Sequence, residues 1–182
     1  MGVKKTHRIL AVLIAVVMVM TSGIAVFAAG SNTGGSTAPE TYVEVQGKTV
    51  VVNNPTDVIK YKMYGKKKYK TASSNVLTGL KKGKRYVIFT GGKVYKVLIA
   101  GGKVKKATVK KNKVTVKISR KKGAKKYVIR AVRVSDGKVV KKTVRSLTKK
   151  LKLEAGEWQI TVTPKNGKYV GQTSAVKTVV VY

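Results

Sequence analysis

The 182-residue chain has no cysteine. Disulfides are therefore excluded, and so are thiol nucleophiles and thiolate metal sites. It has one histidine, His7, which lies just ahead of the N-terminal apolar run. The remainder thus lacks the usual general base at neutral pH and the commonest metal ligand. Acidic residues number six, against 40 lysines and arginines. Those six are Glu40, Glu44, Asp57, Asp136, Glu154 and Glu157. A glycoside-cleaving pair needs two carboxylates facing each other across a cleft. Glu154 and Glu157 are the pair to consider, and they flank Gly156 at what reads as a solvated corner. No stretch after residue 41 has helical periodicity, so no glycine-rich loop opens a helix to cradle a phosphate. Catalytic residues, cofactor sites and metal sites are all expected to be absent.

What is present begins with an address. Lys4, Lys5 and Arg8 precede the apolar run 9–20, and Val26-Phe27-Ala28 offers small residues for a peptidase. This pattern predicts a secretory signal peptide over residues 1–28, cleaved after Ala28. No cysteine follows, so a lipoprotein signal is excluded, and no second apolar run is long enough to span a bilayer. The expectation is a secreted, extracellular protein, of bacterial type because it lacks disulfides, with no transmembrane segment after cleavage.

Residues 29–41, "AGSNTGGSTAPET", are small and polar and read as a flexible linker. Beyond Tyr42 the chain turns to short runs rich in Val, Ile, Thr and Tyr, the residues that favour strands. Gly91-Gly92, Gly101-Gly102, Asp136-Gly137 and Asn166-Gly167 punctuate them, the last two as two-residue hairpin turns. A Lys-Val pair recurs at Val94, Val104 and Val114. The similarity decays beyond the pair, so the ten-residue return is the length of a strand plus a turn and not a fibrous repeat. In 113–118, Val114, Val116 and Ile118 alternate with Lys113, Thr115 and Lys117, the mark of a half-buried strand with a basic outer face. The segment 77–97 echoes 151–170, each with Leu-x-x-Gly, an aromatic residue, an alternating strand and a glycine turn. The prediction is an all-β chain with two tandem immunoglobulin-like β-sandwich units, 42–101 and 104–182.

Residues 104–182 resemble a fibronectin type III domain. "KVTVKIS" matches the second strand, and "GAKKYVIRAVRV" the third, with Tyr127 and Ile129 inward. "LKLEAGEWQITVTPKNG" matches the corner and the strand after it, and "GQTSAVKTVVVY" the last strand. Two positions depart from the family pattern. Ile118 stands where the family has tryptophan, and Trp158 follows Leu153 by five residues where the corner tyrosine follows by six. The first unit keeps the six-residue spacing, from Leu80 to Tyr86, but is shorter. The resemblance implies a binding or spacer module, not an enzyme. The loop 164–172, "PKNGKYVGQ", has no Arg-Gly-Asp, so integrin binding is not implied.

Net charge is the remaining signal: +34, less the three charges that Lys4, Lys5 and Arg8 take with the leader. A field of this size attracts polyanions. If the second and fifth strands are neighbours, Lys113 and Lys117 share an outer face with Lys150 and Lys152. The loop "SRKKGAKK" adds Arg120, Lys121, Lys122, Lys125 and Lys126. Lys66, Lys67 and Lys68 form a secondary basic loop between Tyr64 and Tyr69. Lysine acts as a point charge without bidentate base recognition, and few aromatics alternate with it, so specific nucleic-acid binding is not expected. The expected partner is an extracellular anionic polysaccharide, such as wall teichoic acid or a sulfated glycan, with charge retaining the protein at the cell wall. The alternatives are a cationic effector acting on membranes or host receptors, and a spacer with no ligand of its own.

Overall fold

Wherever Val, Ile and Tyr alternate with Lys and Thr, the backbone is extended and the apolar residues point one way. In the computed structural model, which describes residues 39–182, the first half carries seven strands. They are β1 (Tyr42–Gln46), β2 (Thr49–Asn53), β3 (Lys60–Met63), β4 (Lys70–Thr71), β5 (Val76–Leu77), β6 (Arg85–Thr90) and β7 (Lys93–Gly101). The second half carries β8 (Val104–Lys110), β9 (Lys113–Ile118), β10 (Lys126–Arg133), β11 (Val139–Val144), β12 (Thr148–Lys152), β13 (Gly156–Asn166), β14 (Tyr169–Gln172) and β15 (Lys177–Val181). The all-β prediction holds, and no helix interrupts the described residues. The expected leader and most of the linker lie outside them.

The halves share one topology. In the first, β1-β2-β5 packs over β4-β3-β6-β7; in the second, β8-β9-β12 packs over β11-β10-β13-β15. Each sandwich encloses its own core. Val50, Val52, Ile88 and Ile99 are among the buried residues of the first. The second contains every residue that alternation assigns to it: Val114, Val116, Ile118, Tyr127, Ile129, Leu151, Leu153, Trp158, Ile160 and Val162. Trp158 is only 1% exposed. Its indole N–H donates to the carbonyl of Glu154 at 2.9 Å. In the first half the Tyr86 hydroxyl instead accepts the Lys81 backbone N–H at 3.0 Å. Both contacts satisfy a polar tip at the edge of a core, as burial of such a ring requires.

Two turn expectations are corrected. Gly91-Gly92 does form a two-residue turn, closed by the Thr90–Lys93 pair, with φ of 54° and 67°. Both angles lie where only glycine is unstrained. Asp136-Gly137, by contrast, lies inside a longer connection between Arg133 and Val139. There the Arg133 N–H donates to the Lys138 carbonyl. At the other site the central pair is Gly167-Lys168, because Asn166 already pairs with Tyr169.

The segment 164–172, read from sequence as a loop, is also different. It is the end of β13 and the whole of β14. β14 runs parallel to β7, and this pairing joins the larger sheets of both halves into one of nine strands. Leu98, Ala100 and Tyr169 form a small core at the junction. A Cβ on Gly171 would collide with the Ala100 carbonyl, so the close approach of the two backbones needs glycine there.

Candidate binding surface

The sheet β8-β9-β12 positions the most regular array of charge in the molecule. Val114, Val116, Ile118 and Leu151 fill the core, so the residues between them face outward. The register then arranges that outer face in rows. Lys152, Lys113 and Lys110 are directly opposite one another. Lys150, Thr115 and Thr108 form the next row, and Thr148, Lys117 and Lys106 the third. All six lysines are exposed. Neighbouring strands lie ~4.8 Å apart, and alternate residues along one strand ~6.7 Å apart. These spacings are inside the Debye length of about 8 Å at physiological salt. The lysines therefore repel one another, and like charges directly opposite destabilise a sheet.

The four lysines picked out by sequence, Lys113, Lys117, Lys150 and Lys152, are thus brought onto one face. Lys106 and Lys110 were missed. Their strand hides its phase, because the small Ala107 stands at an inward position and a register shift separates Val104 from Lys106. The alternation of Lys106, Thr108 and Lys110 with Ala107 and Val109 was the available signal.

The loop "SRKKGAKK" is placed differently from the expectation that it prolongs this face. It crosses to the larger sheet, where Lys126 already belongs to β10, opposite Lys165. Three contacts clamp it. The Tyr127 hydroxyl accepts the Lys121 N–H at 2.8 Å. The Asn166 side-chain amide donates to the Gly123 carbonyl at 2.7 Å. Gly123 is also pressed against Gly83 of the first half, with φ of 81° and no room for a Cβ. Arg120, Lys122 and Lys125 are exposed, whereas Lys121 and Lys126 are half-buried.

Lys66, Lys67 and Lys68 are exposed between two tyrosines. Tyr64 meets Tyr169 edge-on at 5.5 Å, and the Arg85 guanidinium stacks on Tyr64 at 3.8 Å. Burial pushes the Tyr169 hydroxyl pKa up, partly offset by Arg85. On the other side the Lys62 ammonium sits 4.3 Å from the centre of the Tyr69 ring.

Carboxylates are kept elsewhere. Arg133 pairs with Asp136 at 2.6 Å and with Glu154 at 2.9 Å, and Lys138 also pairs with Glu154. The hydrogen bond from Arg133, then the Lys138 backbone N–H, holds Asp136 well below the usual carboxylate range. Lys138, then Arg133, lowers Glu154. Glu154 is thus committed to two cations. Glu40 pairs with Lys93 at 2.9 Å. Among the described residues no three His, Cys, Asp or Glu side chains group as metal ligands, and no helix is long and apolar enough to cross a membrane.

No family model matches the chain, and no curated protein matches it in sequence. Solved structures of fibronectin type III segments are similar to it. One is a two-domain fibronectin type III segment from chicken tenascin, at 16% identity and a TM-score of 0.46, covering 78% of this chain and 98% of that one. Another is the FN1-FN3 domains of chicken CNTN1, at 14% identity and a TM-score of 0.39. That match covers 78% of this chain and 66% of the other, so the chain spans less than two thirds of the CNTN1 segment. At these values the architecture stands on the strand order and register of the chain itself: an all-β pair of immunoglobulin-like sandwiches.

Proposed function

We propose that the protein is a secreted, non-catalytic module that holds extracellular anionic polysaccharide on the outer face of β8-β9-β12. One observation carries this reading: six lysines and three threonines occupy that face in a three-by-three array without an acid. Two of the three rows set lysines directly opposite one another, which raises the free energy of the free protein. An anionic chain laid across the rows relieves that repulsion, and the threonine hydroxyls add hydrogen bonds to its oxygens. The array has no arginine to read a base edge and no aromatic ring to stack on one. It recognises charge density and leaves sequence unread. The leader predicted over 1–28 directs the protein outside the cell, where teichoic acids and sulfated glycans are the polyanions of this kind.

The test is binding of immobilised heparin and of wall polysaccharide across a salt series. Log affinity should fall linearly with log salt, as counterion release requires. Replacing Lys113, Lys117, Lys150 and Lys152 with Gln should weaken binding and flatten that slope. Affinity unmoved by this replacement and by salt would refute the reading.

A further inference from the structure

A second feature of the molecule has the form of a pocket. Between the 64–69 connection and the corner at 78–81 lies an open cleft of ≈ 730 Å³, within the range of small-ligand sites. Six lysines stand in its lining, beside Thr78 and Gly79. Lys66, Lys67 and Lys68 come from the loop, Lys62 and Lys70 from β3 and β4, and Lys81 from the corner. None of the six makes an ion pair among the described residues. Its apolar lining is different in kind: Tyr61 and Met63 are half-buried against the first core, and Leu80 and Tyr86 are buried in it.

We infer that this cleft binds one or two units of an acidic saccharide, with a ring face on Tyr61 and Met63 and its sulfate, carboxylate or phosphate groups on the lysines. The proposal rests on the polyanion reading for the source of the ligand, but on its own residues for the site. The distribution of chemistry selects the ligand. A pyranose ring presents C–H groups on its faces and charged substituents around its edge, which matches a lining of apolar side chains and lysines. An inorganic polyanion has no apolar face for Tyr61 and Met63. A lipid concentrates its charge at one end and needs depth for its chains, whereas Leu80 and Tyr86 in the lining are already packed in the first core. The flat lysine array of β8-β9-β12 has no such apolar lining, so the two surfaces differ in what they distinguish. The array requires length and charge; the cleft requires a ring.

Met63 supplies the test. The chain has three other methionines, Met1, Met18 and Met20, all within the predicted leader, so the Met63 methyl resonance is assigned by its loss in Met63→Leu. The full chain is titrated with a heparin-derived tetrasaccharide, with polyphosphate of matched charge and with phosphatidylglycerol vesicles. The tetrasaccharide should shift the Met63 methyl and saturate, while polyphosphate leaves that resonance in place. Lys66→Gln/Lys67→Gln/Lys68→Gln, all in an exposed loop, should lower tetrasaccharide affinity about tenfold. Lys62→Gln/Lys70→Gln should act in the same direction, with circular dichroism confirming that both variants fold. An equal Met63 shift with polyphosphate would reduce the cleft to charge alone, and preference for the vesicles would assign it to lipid; either overturns the proposal. Tetrasaccharide affinity lost with the Lys113, Lys117, Lys150 and Lys152 replacements but unmoved by the cleft variants overturns the cleft and leaves the polyanion reading standing. Absence of binding to any polyanion overturns both.

Discussion

The two halves have the same strand order, yet their equivalent faces carry opposite chemistry. In the second half the outer face of the three-stranded sheet holds six lysines. In the first half the corresponding face of β1-β2-β5 presents Tyr42, Glu44, Gln46, Thr49, Val51, Asn53 and Val76. It has no lysine at all. The fold therefore does not demand lysine at these positions. A uniform drive for solubility would have distributed charge over both faces. Lysines stand directly opposite one another on the longer-stranded sheet, where each opposed pair costs stability, and nowhere on the corresponding face of the first half.

The first way to break the comparison is through the cores. Trp158→Ala should destabilise the protein by about 3–5 kcal/mol, measured by denaturant unfolding. Tyr86→Phe at the equivalent corner removes only the hydrogen bond from Lys81 and should cost about 1 kcal/mol. Equal effects would mean that the corners are not energetically distinct.

A second test concerns long polyanions. Lys113, Lys117, Lys150 and Lys152 replaced with Gln should reduce heparin affinity by roughly tenfold or more, at up to ~1 kcal/mol for each exposed contact. The same change at Lys48, Lys60, Lys84 and Lys96 of the first half should do less. Similar losses from both sets would reduce the effect to net charge.

The array variant should also be more stable than the parent at low salt, by about 0.2–1 kcal/mol for each opposed pair relieved. That gain should shrink as salt screens the repulsion. A loss of stability instead would show that the lysine stems contribute more by packing than their charges cost.

The smallest effect is the pH response of the Arg133 cluster, which has no counterpart in the first half. Asp136 and Glu154 have folded-state pKa values below their ordinary ones. Their contribution is present above the unfolded carboxylate pKa and is lost as pH falls through the folded value. Stability should therefore decline with acidification below about pH 4. Arg133→Gln should flatten that decline, read as the melting temperature across an acid series.

How much of this was legible in sequence follows from the range of the interactions. Alternation within 113–118, 127–131 and 158–162 is a local property, because successive side chains on a strand point to opposite faces. It was enough to establish the all-β class, the second core and the outward direction of Lys113, Lys117, Lys150 and Lys152. The Gly91-Gly92 turn was legible for the same reason, since its positive φ values are set by the residues themselves. Which strands become neighbours is not local. The parallel pairing of β14 with β7 turned an apparent loop into a strand, through contacts some seventy residues apart in the chain. β8 placed Lys106 and Lys110 beside Lys117 and Lys113 only once its register shift was known. The cleft draws on two strands, a loop and a corner, and its mixed lining of lysines with half-buried Tyr61 and Met63 exists only after these are assembled. Sequence alone determined which residues face in or out; tertiary structure decided which outward residues meet, because pairing partners are selected by the whole packed sheet.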